Sequence, residues 1–201
     1  MKKRGIFIVI EGLDGSGSTT QVELLTDFLK LNGIGAVQTK EPTDNVIGGL
    51  IRGALTGVYS LPPVSIQLLF SADRSHNLKR LIEPKIEEGY WVVSDRYMWS
   101  TIAFGSLDLD KNWLLDTQKY FVKPDLTIFL KVNPKKCVER ITKNRYDIEL
   151  FEEEQKLKKV WACYAWLAKK FPKQIKIIDG EGNKDEVFER IVHYVRPLLK
   201  S

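Results

Sequence analysis

The sequence predicts an α/β fold, a mostly parallel sheet with helices on both faces. Three observations carry this. The apolar run at 6–10 (IFIVI) is continuous rather than alternating, as expected of a strand buried on both sides. Strand-like and helix-like stretches then alternate to the end of the chain, the order that builds parallel sheets. With 201 residues, 43% hydrophobic and 28% charged, the chain has the size of one domain and the composition of a globular protein, so disordered and fibrous classes are excluded.

Each element follows from local pattern. Residues 6–10 form the first strand, and a glycine-rich turn over 12–17 leads out of it. The helix predicted over 19–31 sets Val22, Leu25 and Leu29 on one stripe and stops at Asn32-Gly33. Residues 36–40 read as a second strand and 48–55 as a short helix. Leu61-Pro62-Pro63 connects to a long helix over 64–88, interrupted near Pro84 and closed by Gly89. The third strand is 91–94, with helices near 99–104 and 112–120. The fourth is 126–130, and Pro134 suits the first turn of the helix after it. A helix running to about 170 carries an i,i+4 pair, Glu154 and Lys158. Residues 175–178 are the fifth strand and 185–199 the last helix. No repeat, linker or low-complexity tract divides the chain, which predicts one domain over 1–201.

Composition narrows the function classes. Two cysteines, Cys137 and Cys163, and two histidines, His76 and His193, leave too few ligands for a zinc site and suit a reducing cytoplasm. No segment approaches the ~20 apolar residues of a membrane span. The apolar run behind Lys2-Lys3-Arg4 is too short for a signal peptide and ends at Glu11. A net charge of +5 is compatible with phosphate ligands, but no helix carries a basic stripe interleaved with aromatics, so nucleic acid is not an expected partner.

In parallel α/β sheets ligands gather at the carboxyl ends of the strands. After the first strand stands Glu11-Gly12-Leu13-Asp14-Gly15-Ser16-Gly17-Ser18-Thr19-Thr20. Gly12 and Gly17 have the spacing of a phosphate-binding loop, G-x-x-x-x-G-K-[ST], and Thr19 supplies the hydroxyl for a magnesium ion. Ser18 occupies the lysine position. After the third strand, Asp95 is placed to hold magnesium or its water, and Arg96 to clamp a phosphate. Phe70 and Arg74 share a helical face, suited to stacking on a base and donating to its carbonyl. On spacing alone, a core phenylalanine beside an exposed arginine is the stronger reading of that pair. Arg140, Lys143 and Arg145 form a basic cluster, either a lid over phosphates or a solvated charged face.

These segments, with Lys40-Glu41-Pro42, residues 69–74 (LFSADR), residues 95–104 (DRYMWSTIAF) and residues 124–130 (PDLTIFL), resemble in order the thymidylate kinase family of P-loop nucleoside monophosphate kinases. The resemblance implies a three-layer P-loop NTPase fold with a five-stranded parallel sheet, a small lid near 140–150 and a monophosphate-binding region near 40–75. It implies ATP-dependent phosphorylation of dTMP to dTDP, with Mg2+ as cofactor, in a cytoplasmic homodimer. Gly12, Leu13, Asp14, Gly15, Ser16, Gly17, Ser18, Thr19 and Thr20 would bind ATP. Thr19 and Asp95 would hold the metal. Asp14 would contact the sugar 3′-hydroxyl and Arg96 the monophosphate. Phe70 would stack on thymine, Arg74 would face its O4, and Phe104 would disfavour a 2′-hydroxyl. Glu41, Arg52, Ser100 and Thr101 complete the substrate set. Asp14, Asp95, Arg96, Arg140 and Arg145 are the catalytic candidates.

The family expects lysine where Ser18 stands. Arg140, Lys143 or Arg145 can supply the missing charge; Lys3 or Arg4 would have to fold in from a poor position; or the chain is a weakly active or non-catalytic nucleotide-binding relative. A broad-specificity deoxynucleotide kinase is the other open alternative.

Overall fold

The computed structural model describes residues 3–141 and 147–199. The strands are β1 (Phe7–Gly12), β2 (Ala36–Lys40), β3 (Trp91–Asp95), β4 (Leu126–Lys131) and β5 (Ile175–Asp179). They lie in the order β2-β3-β1-β4-β5, and every pairing is parallel. The expected five-stranded parallel sheet is therefore present.

The first strand is continuous in hydrophobicity because it feeds two cores. Phe7 and Val9 point to one face and Ile8 and Ile10 to the other. On one side α1 (Ser18–Leu31) and α9 (Lys184–Leu199) cover the sheet. Val22, Leu25, Leu29, Val187, Ile191 and Val195 are their buried stripes. On the other side lie α5 (Met98–Gly105) and α8 (Asp147–Lys170). Trp99, Ile102, Val160 and Leu167 fill the layer between them and the strands. The buried Trp99 indole donates to Thr127 Oγ1 at 3.1 Å, so its one polar atom is satisfied.

The remaining helices are α2 (Val46–Leu55), α3 (Pro63–Asn77), α4 (Glu83–Glu87), α6 (Lys111–Gln118) and α7 (Pro134–Ile141). Most boundaries differ from the sequence reading by a residue or two, and two differences bear on the fold. The long helix over 64–88 is divided by a π-helical turn, Leu78–Ile82, immediately before Pro84. Pro84 lacks an amide and its ring crowds the carbonyl four residues back, and a widened turn absorbs both. The first strand runs on to Gly12, because β4 continues to pair with it as far as Leu130. Lys143 and Arg145, expected in a lid, lie outside the described residues.

Gly48 in α2 sits against the loop after β2. A Cβ there would meet Thr43 O at 1.9 Å, whereas at Gly49 the nearest atom is Arg52 Nη2 at 3.9 Å. Gly48→Ala is expected to lower stability by about 1–3 kcal/mol, since backbone must move. Gly49→Ala is expected to be neutral or to gain about 0.5–1 kcal/mol. Urea unfolding midpoints of the two variants check this.

Candidate active site

β1 lies between β3 and β4, so the loops leaving β1 and β3 open side by side at the carboxyl edge of the sheet. The β1 loop turns sharply through Gly15 and Gly17, both in the left-handed region at φ 77° and 91°. Space as well as conformation demands glycine at 15, where a Cβ would meet Cys137 O at 2.5 Å. Among the described residues no side chain caps α1, whose N-cap is Gly17. Its first-turn amides and the positive end of its dipole are left for an anion. Ser16 Oγ is buried nearby, with no hydrogen-bond partner among the described residues. The Leu13 side chain belongs to the core, so any part it plays toward a nucleotide comes from its backbone.

Thr19 Oγ1 donates to Asp95 Oδ2 at 2.5 Å. Asp95 Oδ1 is buried and has no hydrogen-bond partner among the described residues. A hydroxyl, a carboxylate and a vacant buried lone pair at the mouth of a phosphate cradle fit a hard divalent cation with most of its water retained.

Arg96 follows β3 in the left-handed conformation, φ 69°. Its Nη1 donates to Gly12 O at 2.9 Å and to Ser100 Oγ at 3.0 Å, and its Nη2 to Asp14 Oδ1 at 2.5 Å. Its guanidinium lies 5.0 Å from the Phe104 ring centroid. Burial works against its charge, but Asp14, Tyr164, Glu11 and Asp95 outweigh that and raise its pKa.

Beyond Arg96 a cavity of about 340 Å³ extends to Phe70, Arg74 and Gln67, with Thr101 and Phe104 on its wall. The sequence placed Phe70 and Arg74 on one face, and the structure does the same. It also resolves the bland reading of that pair, because Arg74 is 0% exposed. Nε donates to Glu41 Oε1 at 3.2 Å, and Nη2 to Glu41 Oε2 at 2.5 Å and Thr101 Oγ1 at 3.0 Å, while Nη1 donates to Gln118 Oε1. Four of its five N–H bonds are thereby directed, which leaves one on Nη1. Tyr97 and Phe121 flank the guanidinium. Burial pushes the Glu41 carboxyl up to about 7, against the pull of Arg74.

Arg52 stands apart from this cavity. It donates to Pro42 O at 3.4 Å and also to Thr43 O, bracing the loop after β2. Arg140 lies on the cradle, with Nη1 donating to Gly15 O at 3.0 Å. It lines a smaller cavity of about 160 Å³ with Ser16, Gly17 and Thr20. Ser18 is 7% exposed at the start of α1. Three participants were not assigned roles from sequence. Glu11 reads there only as the opening residue of the loop after the first strand, and Gln118 and Tyr164 belong to helices remote in the chain.

The family model described as thymidylate kinase matches residues 10–191. A protein of Thermococcus gammatolerans named probable thymidylate kinase is 36% identical over 98% of this chain and 99% of its own. A thymidylate kinase of Caldicellulosiruptor saccharolyticus is 32% identical, again over 98% of this chain and 99% of its own. The thymidylate kinase structure from Candida albicans superposes with a TM-score of 0.79 at 30% identity, covering 98% of this chain and 93% of that one. One from Ehrlichia chaffeensis, at 24% identity and TM-score 0.76 over 96% and 99% of the two chains, shares the fold. The glycine loop, Arg96 and the cavity beyond it thus occur in a chain that belongs to the thymidylate kinase family.

Proposed function

We propose that this chain transfers the γ-phosphoryl group of ATP to the phosphate of dTMP, giving ADP and dTDP. The observation that carries this is the placement of Arg96 between the cradle and the cavity that ends at Phe70 and Arg74. The amides from Asp14 to Thr19 hold the donor phosphates. Arg96 holds the acceptor phosphate in line with them, and positioning with charge stabilisation accounts for the chemistry. A monophosphate oxygen is already ionised near neutral pH, so no general base is needed. Thr19 and Asp95 would hold Mg2+, which when bound neutralises charge on the donor phosphates. Arg74 borders the cavity with one Nη1–H uncommitted among the described residues; directed at the base it would suit a carbonyl acceptor, and the 4-amino group of cytosine would meet it donor to donor.

Arg140, which reaches from α7 to the loop that lacks lysine, is proposed to supply the cation at the donor phosphates. The exposed apolar side chains of α2 and α3, among them Val46, Leu50, Val64 and Leu68, suit the homodimer that the family resemblance implies. A reducing cytoplasmic setting belongs to the same reading; Cys137 and Cys163 are free thiols.

Purified protein with ATP and Mg2+ is expected to convert dTMP to dTDP, with kcat/KM for dCMP lower by about 10² or more. Equal use of dCMP, or turnover of thymidine but not of dTMP, overturns the base and acceptor assignments. Arg140→Ala is expected to lower kcat by about 10²-fold with little change in KM for dTMP. Adding Ser18→Lys to that variant should recover turnover, and no recovery would break the link between the two positions.

Glu41 makes stability depend on pH. A carboxyl that holds its proton more tightly folded than unfolded contributes stability that is complete below its ordinary value near 4.5 and is lost as pH rises through about 7. The melting temperature is expected to fall between about pH 5 and 8, and Glu41→Gln to flatten that fall. An identical slope in the variant assigns the dependence elsewhere.

A further inference from the structure

We propose that Glu11 and Tyr164 are positioning residues that set the clamping arginine, Arg96, for the acceptor phosphate. The proposal rests on the reading of Arg96 given above. Glu11 stands one residue before the end of β1 and is 0% exposed. Its Oε1 accepts from Tyr97 N at 3.0 Å and Ser100 N at 3.1 Å. These are amides at the start of α5, whose N-cap residue offers no side-chain cap. A carboxylate from another element therefore caps this helix. Its Oε2 accepts from Ser100 Oγ, and from Tyr164 Oη at 3.0 Å. Four donors meet the four lone-pair sites of one buried carboxylate.

The arrangement bears on Arg96 in two ways. Its backbone is in a conformation unfavourable for a side chain larger than glycine. That conformation is pinned on both sides. Arg96 N donates to Ile10 O at 2.9 Å and Ser94 Oγ donates to Arg96 O at 2.7 Å. The next amide, that of Tyr97, is held by Glu11. The side chain is controlled through Ser100. The serine hydroxyl has a single proton, and Glu11 takes it. Its lone pairs are then turned toward Arg96 Nη1 at 3.0 Å.

Tyr164 closes the triangle, 2.9 Å from Ser100 Oγ as well as 3.0 Å from Glu11 Oε2. By giving its own proton to Glu11 it fills the last site on Oε2, and with both hydroxyl protons committed to the carboxylate it acts on the serine through Glu11. A buried tyrosine also occurs as plain core, and the ring does pack on Phe129 at 4.7 Å between centroids. What packing leaves unexplained is the aim of its hydroxyl into the one carboxylate that orients the Arg96 contact.

Tyr164→Phe deletes the hydroxyl and keeps the ring. It is expected to weaken dTMP binding, measured by calorimetry, by about 10-fold, and to lower kcat/KM for dTMP to a similar extent. KM for ATP should stay within about 2-fold. Combined with Arg96→Lys, which removes the contact being oriented, the same change should lower kcat/KM by less than about 2-fold further. Ser100→Ala, which cuts the link and leaves Glu11 and Tyr164 in place, should reproduce the acceptor defect. Equal losses in both Arg96 backgrounds, or a lowered melting temperature with acceptor binding unchanged, would overturn the proposal. Failure of the unsubstituted protein to bind dTMP would instead overturn the reading on which it rests.

Discussion

The parallel pairing of β1 with β3 is the constraint on which the site depends. Its register sets Phe7 beside Val92 and Ile10 beside Asp95. Both strands are buried on both faces, so their side chains sort alternately into two cores. A slip of one residue would send each side chain to the opposite face, exchanging Val92 and Val93 between cores. Packing thus fixes where the strands end relative to each other, and the ends carry the chemistry. Thr19 reaches Asp95 across this seam, and Arg96 reaches Gly12. The long-range contacts of the active site are consequences of hydrophobic register.

Charge is the second constraint, because this site buries several ionic groups. Glu11, Glu41, Asp73 and Arg74 are all at most 4% exposed. Each is held by directed donors or acceptors, without which burial would be prohibitive. Asp73 accepts from Thr43 N at 2.8 Å and Thr43 Oγ1 at 2.6 Å and so fixes the loop after β2. Glu41, from the same loop, engages Arg74. One turn of α3 therefore anchors the loop through residue 73 and takes its carboxylate through residue 74. Neighbouring residues of that turn join the loop after β2 to the wall of the cavity.

The fold was largely legible in the sequence. The doubly buried strands β1, β3 and β4 read as largely apolar runs, and 36–40 and 175–178, which are buried on one side only, also became strands. The cradle was legible too, since glycine spacing encodes its local geometry. The π-helical turn at Leu78–Ile82 was less so, because Pro84 announces a disturbance but not its form or register. Least legible were the partners of Arg96 and Arg74 and of the groups around them. Tyr164 lies 153 residues from Glu11, and Gln118 lies 44 residues from Arg74. Periodicity within an element says which face a side chain occupies. It says nothing of which distant donor will meet it there. Arg145 and Lys143, two of the expected cations, lie outside the described residues.

The pairing of Arg96 with Asp14 gives these constraints a functional direction. The pair is asymmetric, with side chains 18% and 57% exposed. The arginine is locked by Gly12 O and Ser100, whereas the aspartate sits at the open edge of the cradle. A doubly charged monophosphate is a stronger acceptor than a half-solvated carboxylate, and the planar guanidinium suits its oxygens. On the proposed function, the acceptor phosphate takes Nη2 from Asp14 without moving Arg96. Asp14 is thereby released beside the substrate as a free hydrogen-bond acceptor for a sugar hydroxyl. The interaction broken on binding is a pair whose carboxylate side is solvated, which limits its net value. The interaction made uses an arginine already oriented, so little ordering remains to be done when substrate arrives. On the same proposal, cradle amides, helix dipole and Arg140 would converge on the donor phosphates and take up the charge role that Ser18 leaves open.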